Sequence, residues 1–353
     1  MPVCMGKEVK NLCFKDHPLY KAVKCALFDG TEPFTDGIDQ ACALTNAVRR
    51  PHFPPSVTEK ASKIKLPNNF EDRLCDMIMH GERYDPTLEK LPKRHDPVLF
   101  WLKQPRLYGT PVLKRNNIIL DNLYRSVLLM AVQHDQLEFL RFDRDEPLSG
   151  ALNFGDEFED HPFVVRSQPH LIVQSPMAIQ PWANEEEVKK TQQEKVPDVT
   201  PIDPRIDLTE DNIYNVEAVV PRSRFRLHLD TIFWGREQDQ KYPWTREQNA
   251  ANAVMHCFGA ALVEATRMGK PSSAVLPTPV TTRAVQLVDG RLDLVVFQLN
   301  SLDLTAKSPV KNIVWVEPAL QLYKPGPFYE NYDAVVDLDV KPYMMLMGLL
   351  LTR

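Results

Sequence analysis

The stretch from Val280 to Asn300 constrains this chain more than any other. Two runs rich in β-branched and aliphatic side chains, Val280–Val288 and Arg291–Asn300, flank the dipeptide Asp289-Gly290. A two-residue loop joins antiparallel strands when both of its residues take positive φ, which Asp-Gly tolerates. The pattern therefore predicts a long β-hairpin, with a further strand at Asn312–Val316. A sheet of this kind must be covered, and the rest of the chain has to supply the cover.

Helix signals stand on both sides of it. Thr245 and Gln248 form the pair of a capping box, in which each side chain meets the other residue's backbone N–H. From there Val254, Cys257, Phe258, Ala261, Leu262 and Ala265 recur on one helical face up to Gly269, with Pro271 beyond. Phe225, Leu227 and Leu229 alternate with Arg226, His228 and Asp230, predicting a half-exposed strand. Pro342 marks a helix start before Met344–Leu351. Nearer the N-terminus, Ile38, Ala41, Cys42, Thr45 and Val48 keep helical spacing after Asp36, and Pro51 stops them. A second helix runs from Phe70 to about His80, capped by Asn69 and ended by Gly81. A third covers Asn117–Gln133 and is apolar nearly all round, which predicts a central position.

The expected fold is mixed α/β of the α+β type: a mixed or antiparallel sheet with flanking helices and a helical N-terminal part. Its 353 residues, 43% hydrophobic and 25% charged, suffice for one large or two small domains. Charge divides it into three. Residues 1–125 hold 20 basic and 15 acidic groups, residues 126–215 hold 7 and 18, and residues 216–353 hold 15 and 14. The expected organisation is a mainly helical part over 1–140, an acidic, Pro-rich connecting region over 141–204, and a sheet-and-helix domain over 205–353. Within the connector, Asn184 caps one short charged helix.

Several chemistries are excluded. The closest glycines are Gly150 and Gly155, so neither G-x-G-x-x-G nor G-x-S-x-G occurs. Asp156 and Glu157 follow Gly155 where a phosphate loop needs Lys and Ser or Thr. The six cysteines contain no C-x(2–4)-C pair, and they read as reduced, partly buried thiols. The most apolar runs, Val127–Val132 and Met344–Leu351, fall far below the ~20 residues of a membrane span. The start shows no secretory h-region and no Arg before Arg49. There is no H-E-x-x-H. His95-Asp96 and His134-Asp135 are sequence neighbours that point apart, and Asp337 and Asp339 read as one solvated strand face. No cofactor, metal or small-molecule substrate is called for.

Basic groups do cluster. Lys103, Arg106, Lys114, Arg115 and Arg125 interleave with Trp101, Tyr108 and Tyr124; Arg222, Arg224 and Arg226 would share one face of a strand; Lys60, Lys63 and Lys65 form a third group. Such residues neutralise phosphates, and rings stack on unpaired bases. Lys103, Arg106, Lys114, Arg115, Arg222, Arg224 and Arg226 are the candidate RNA contacts. A solvated basic face is the plainer reading, since the net charge is −5.

The hairpin ends in F-Q-L-N (Phe297–Asn300), and the next strand carries K-N-I-V-W (Lys311–Trp315). This pairing resembles a mitochondrial ribosomal family, that of large-subunit protein thirty-seven and its paralogue first catalogued as small-subunit protein thirty. RIDLTEDNIYNV (Arg205–Val216), FGAALVEA (Phe258–Ala265) and HPLYK (His17–Lys21) are similar to the thirty-seven branch. The likeness is dense over about 200–317 and sparse over 15–140. It implies a structural, non-catalytic place in the mitochondrial large ribosomal subunit, in the matrix. The implied partners are large-subunit proteins including the paralogue, with rRNA touched at an edge. Import into mitochondria is implied by the family alone. In residue terms, Phe297, Leu299, Val314 and Val316 read as strand core. Asn300 and Asn312 can satisfy backbone groups at turns and strand ends. Two other readings stand beside it: an enzyme with a dispersed site, a hydrolase or RNA-processing activity, and a free interaction adaptor using the acidic middle. Exposure of the Met344–Leu351 run would mark a partner interface.

Overall fold

A computed structural model of the chain describes residues 23–82, 89–91, 98–101, 108–131, 140–153, 162–213, 226–239, 241–269, 274–325 and 335–352. The first half contains β1 (Val23–Phe28), α1 (Gly37–Leu44), β2 (Ala47–Arg50), α2 (Pro55–Lys63), α3 (Phe70–Glu82), β3 (Glu89–Lys90), β4 (Tyr108–Gly109) and α4 (Val112–Ala131). Then come β5 (Arg141–Arg144), β6 (Leu148–Asn153), β7 (Pro162–Ser167), β8 (Leu171–Ser175), α5 (Glu185–Lys190) and β9 (Thr209–Ile213). The last part holds β10 (His228–Arg236), α6 (Arg246–Met268), β11 (Val275–Val288), β12 (Arg291–Ser301), β13 (Asn312–Gln321) and α7 (Lys341–Leu351).

The Asp-Gly loop does what its backbone freedom allows: Asp289 sits at φ 48° and Gly290 at φ 68°, pairing Val288 with Arg291. Around this hairpin the described strands build a seven-stranded sheet in the order β2-β13-β12-β11-β10-β8-β5. β10 runs parallel to β11 and β13 parallel to β2; the other pairs are antiparallel. A four-stranded sheet has the order β6-β7-β1-β9.

The strand alternation separates two cores. On one face of the large sheet Ala284, Val295, Phe297, Leu299, Val314 and Val316 meet α6 and α1. On the other, Val285, Leu287, Leu292, Leu294, Val296, Ile313 and Trp315 meet α3, α4 and α7. The small sheet closes over the far side of α6, with Phe163 and Val165 in the same cluster. Its approach is close because Gly150 and Gly259 lack side chains: a Cβ on Gly150 would stand 2.7 Å from Leu262 Cβ, and one on Gly259 2.5 Å from Val165 Cγ1.

Both family-like motifs turn out to be joints. Asn312 Oδ1 accepts the N–H groups of Asn300 (2.8 Å) and Ser301 (3.0 Å), and its Nδ2 donates to Thr45 O just after α1. Asn300 Nδ2 donates to Lys311 O, and Gln298 exchanges hydrogen bonds with both backbone groups of Ala183. Lys311 Nζ donates to the carbonyls of Thr191 and Gln192, ending the turn after α5. Trp315 meets Trp182 edge to face at 5.4 Å. These groups tie three distant segments to the sheet.

Arg283, at the centre of β11, has 1% exposure. Its guanidinium pairs with buried Asp230 on β10 and donates to the carbonyls of Leu349, Leu350 and Thr352 at the end of α7. A cation at a helix C-terminus meets the negative end of the dipole and the unpaired carbonyls together.

Several expectations change. α1 ends at Leu44, and Val48 belongs to edge strand β2, because Asn46 turns the chain at φ 46°. Asp36 makes no side-chain cap. The N-terminal part is not purely helical, since β1 and β2 enter separate sheets. α4 begins at Val112, and it buries one stripe while Leu129 is exposed. α6 shows the reverse: every residue from Asn249 to Ala265 is buried, not one face alone. Asp230 is buried, not solvated. The segment over 141–204 supplies strands to both sheets. Asp337 and Asp339 lie in the turn before α7, where Asp339 accepts the Lys341 N–H. The run Met344–Leu351 is largely buried against the large sheet, with Met344 and Met345 partly so.

Removing one member of a buried ion pair strands the other charge. Arg283→Met is expected to cost about 3–5 kcal/mol in denaturant unfolding, and adding Asp230→Val should recover much of it. Equal stabilities for the single and double variants would show that the pair is not what makes the site costly to disturb.

Candidate nucleic-acid interface

The three described candidate RNA contacts, Lys114, Arg115 and Arg226, do not form one patch. Lys103, Arg106, Arg222 and Arg224 lie outside the described residues. Lys114 is exposed in the first turn of α4. Arg115, one residue on, turns inward: its Nη1 donates at 2.6 Å to buried Glu82, whose other oxygen accepts the Tyr323 hydroxyl at 2.6 Å. Arg115 is thus a structural cation joining α3 and α4. Arg226 is exposed just ahead of β10. The α4 start reaches the opposite end of that strand, where Asn116 donates to Arg236 O. A nine-residue strand separates them by roughly 25 Å.

Other members of the basic groups do converge. Lys63, the last residue of α2, and Lys65 just beyond it face Arg125 of α4 across a groove of about 730 Å³, and Arg73 of α3 joins them. All four are exposed, and one carboxylate, Asp76, stands among them. The α4 wall is a single stripe, Asn122, Arg125, Ser126 and Leu129, at the i, i+3, i+4, i+7 spacing of one helix face. Asn122 Nδ2 donates to Met77 O at 3.0 Å and fixes α4 to α3. Arg73 was not singled out by the sequence, because its proximity to Arg125 depends on how α3 packs on α4. Its only local signal is the spacing Arg73, Asp76, Met77, which shares one helix face.

Imidazole–carboxylate pairs are scattered over the molecule. His170 meets Asp121 and Asp145; His228 meets Glu264; His52 meets Glu317. The hydrogen bond to Asp121 raises the His170 pKa above its ordinary value against the effect of burial. His256 differs. It is buried within α6, shares a 2.6 Å hydrogen bond with Ser167, and packs edge-on against Phe28 and Trp234. Burial pushes its pKa down to about 4. A Ser–His contact is what a nucleophile and its base need. Here, however, Gly30 backs onto the ring so closely that a Cβ would stand 2.6 Å from Nε2. The pair is a packed core hydrogen bond. His95 and His134 lie outside the described residues. Cys25, Cys42 and Cys257 are buried free thiols, with Cys42 and Cys257 pushed by burial to about 12. Among the described residues no three His, Cys, Asp or Glu side chains converge as a metal site. No described helix is long and apolar enough to cross a membrane.

No protein-family model matches the chain. Over 317 residues it is 26% identical to large ribosomal subunit protein mL37 of Rattus norvegicus, covering 88% of this chain and 69% of the rat protein. Against mL37 of Bos taurus it is 26% identical over 322 residues, with 88% and 69% covered. Against mL37 of Gallus gallus it is 26% identical over 322 residues, with 88% and 68% covered. A likeness of this extent spans the two-sheet α+β body and not a single motif. Across most of its length the chain is therefore similar to proteins named mL37.

The buried imidazole makes a sign-specific pH prediction. The His256 pKa is lower folded than unfolded, so between about 4 and 6.5 the unfolded chain binds the extra proton. Stability is therefore lost as pH falls through that window, by on the order of 3 kcal/mol. Asp293 opposes it, since burial raises that carboxyl to about 6 and stability falls as pH rises. Comparing wild type with His256→Gln cancels the Asp293 contribution. The variant should lose less stability than wild type between pH 6.5 and 4; parallel curves would contradict the assignment.

Proposed function

We propose that this chain is a structural constituent of the mitochondrial large ribosomal subunit and works there as a scaffold for mitochondrial translation. The observation that carries the reading is the likeness, across most of the chain, to proteins named for the large ribosomal subunit. The structure agrees with a scaffolding role. Its family-like residues are spent on joints within the fold: Asn300 and Asn312 serve backbone groups, Lys311 ends a helical turn, and Trp315 packs on Trp182. The protein acts by shape and not by catalysis. The buried Ser167–His256 pair offers the hydrolase reading no accessible nucleophile, and nothing favours the free-adaptor reading.

Protein contacts dominate, because the chain is net negative and many of its arginines are neutralised internally. The paralogue is a neighbour in the particle. rRNA is met at an edge through exposed cations, of which Lys114 and Arg226 are the described members of the original set. Lys103, Arg106, Arg222 and Arg224 extend those contacts.

A tagged chain from mitochondrial lysate should sediment with the large subunit and leave that fraction after RNase treatment. Residence at the top of the gradient, indifferent to RNase, would overturn the reading. Lys114→Glu with Arg226→Glu should lower the salt concentration that strips the chain from the particle, as lost phosphate contacts reduce counterion release. Unchanged salt resistance would remove those two residues from the RNA edge.

A further inference from the structure

The groove between α3 and α4 combines two properties that neither wall has alone. Its rim carries Lys63, Lys65, Arg73 and Arg125, none of which has an ion-pair partner among the described residues. Elsewhere in the fold arginines are neutralised: Arg50 by Glu194, Arg115 by Glu82, Arg144 by Asp121 and Arg283 by Asp230. Asp76 offsets only one of the four rim charges. The floor, by contrast, is apolar. Ile64, Met77 and Met130 line it, and Leu129 stands 71% exposed within it. Partly buried methionine and exposed leucine beside arginine are the composition of a protein interface core with a charged rim.

We propose that this groove seats an acidic amphipathic helix of a neighbouring protein, a partner that deepens, and rests on, the reading of the chain as a large-subunit component. The partner's apolar side chains, spaced i, i+3 and i+4, fill the floor over Leu129 and Met130. Its Asp and Glu side chains lie along the rim opposite the four cations. The wall from Asn122 to Met130 runs about 12 Å along α4, enough for two turns of a docked helix. RNA fits less well. The lining contains no aromatic ring on which a base would stack, and its apolar floor offers a phosphate no donor. An acidic helix uses both the floor and the rim.

The test places a photo-crosslinking phenylalanine analogue at Leu129, and separately at Arg125, in the full chain. Both positions are exposed, so the substitutions leave the core untouched. Gradient fractions are irradiated and the crosslinked segment is mapped by mass spectrometry. The expected product is one protein segment of net negative charge with apolar residues at helical spacing. Lys63→Glu with Lys65→Glu should reduce that product about five-fold or more, while Arg226→Glu leaves it unchanged. A crosslink to rRNA, a crosslink to a basic segment, or none at all in particles that contain the chain would overturn the docking proposal and leave the ribosomal reading intact. Absence of the chain from the large-subunit fraction would remove that reading and the proposed partner with it.

Discussion

Helix α6 has no solvated face between Asn249 and Ala265, and the rest of the architecture follows from that. A helix buried on one side needs one sheet; a helix buried all round needs a second layer above it. The four-stranded sheet is that layer, and glycines at 150 and 259 let it close to contact distance. Polar side chains on the helix then need partners inside the protein, because an unpaired one costs about 1–3 kcal/mol, and most of them find one. Glu264 accepts the Leu229 N–H and meets His228; Asn252 donates to Gly30 O; His256 meets Ser167; the Cys257 thiol points to Thr282 O. Together these bonds reach β10, the turn after β1, β7 and β11, so they set how those parts sit around α6.

The opposite face of the large sheet is fixed differently. There a single buried guanidinium, Arg283, holds the end of α7 to the middle of β11 while Asp230 balances its charge. Such a pair adds little net stability compared with apolar packing, but its directional hydrogen bonds join β10, β11 and the end of α7 at one point. The amide cluster of Gln298, Asn300 and Asn312 has the same character at the end of the hairpin. A component that must present the same surface to many neighbours depends on such positional certainty. That is the physical link between these internal bonds and a scaffolding role.

Charge tells the same story from outside. Cations that look available in the sequence are in part committed: Arg115 serves Glu82, and Lys311 serves helix-end carbonyls. Other cations are exposed, among them Lys63, Lys65, Arg73 and Arg125 along one groove with an apolar floor. This distribution is the physical basis for the proposal that protein contacts dominate and RNA is met at the margins.

The strands, the turn and the capped helices were legible in the sequence because their causes are local. Asp289-Gly290 has the φ freedom for its turn, Thr245 and Gln248 cap each other's backbone, and the alternation through Phe297, Leu299, Val314 and Val316 assigns a face. The candidate RNA residues were legible only as types of side chain. Sequence distinguishes neither Lys114 from Arg115 nor a solvated Asp230 from a buried one, since both distinctions depend on partners far along the chain, Glu82 and Arg283. The same holds for α6, whose second buried face is created by strands that precede it by about a hundred residues. Local chemistry determined which elements form; long-range packing decided which faces are hidden, which charges are spent and which remain for a partner.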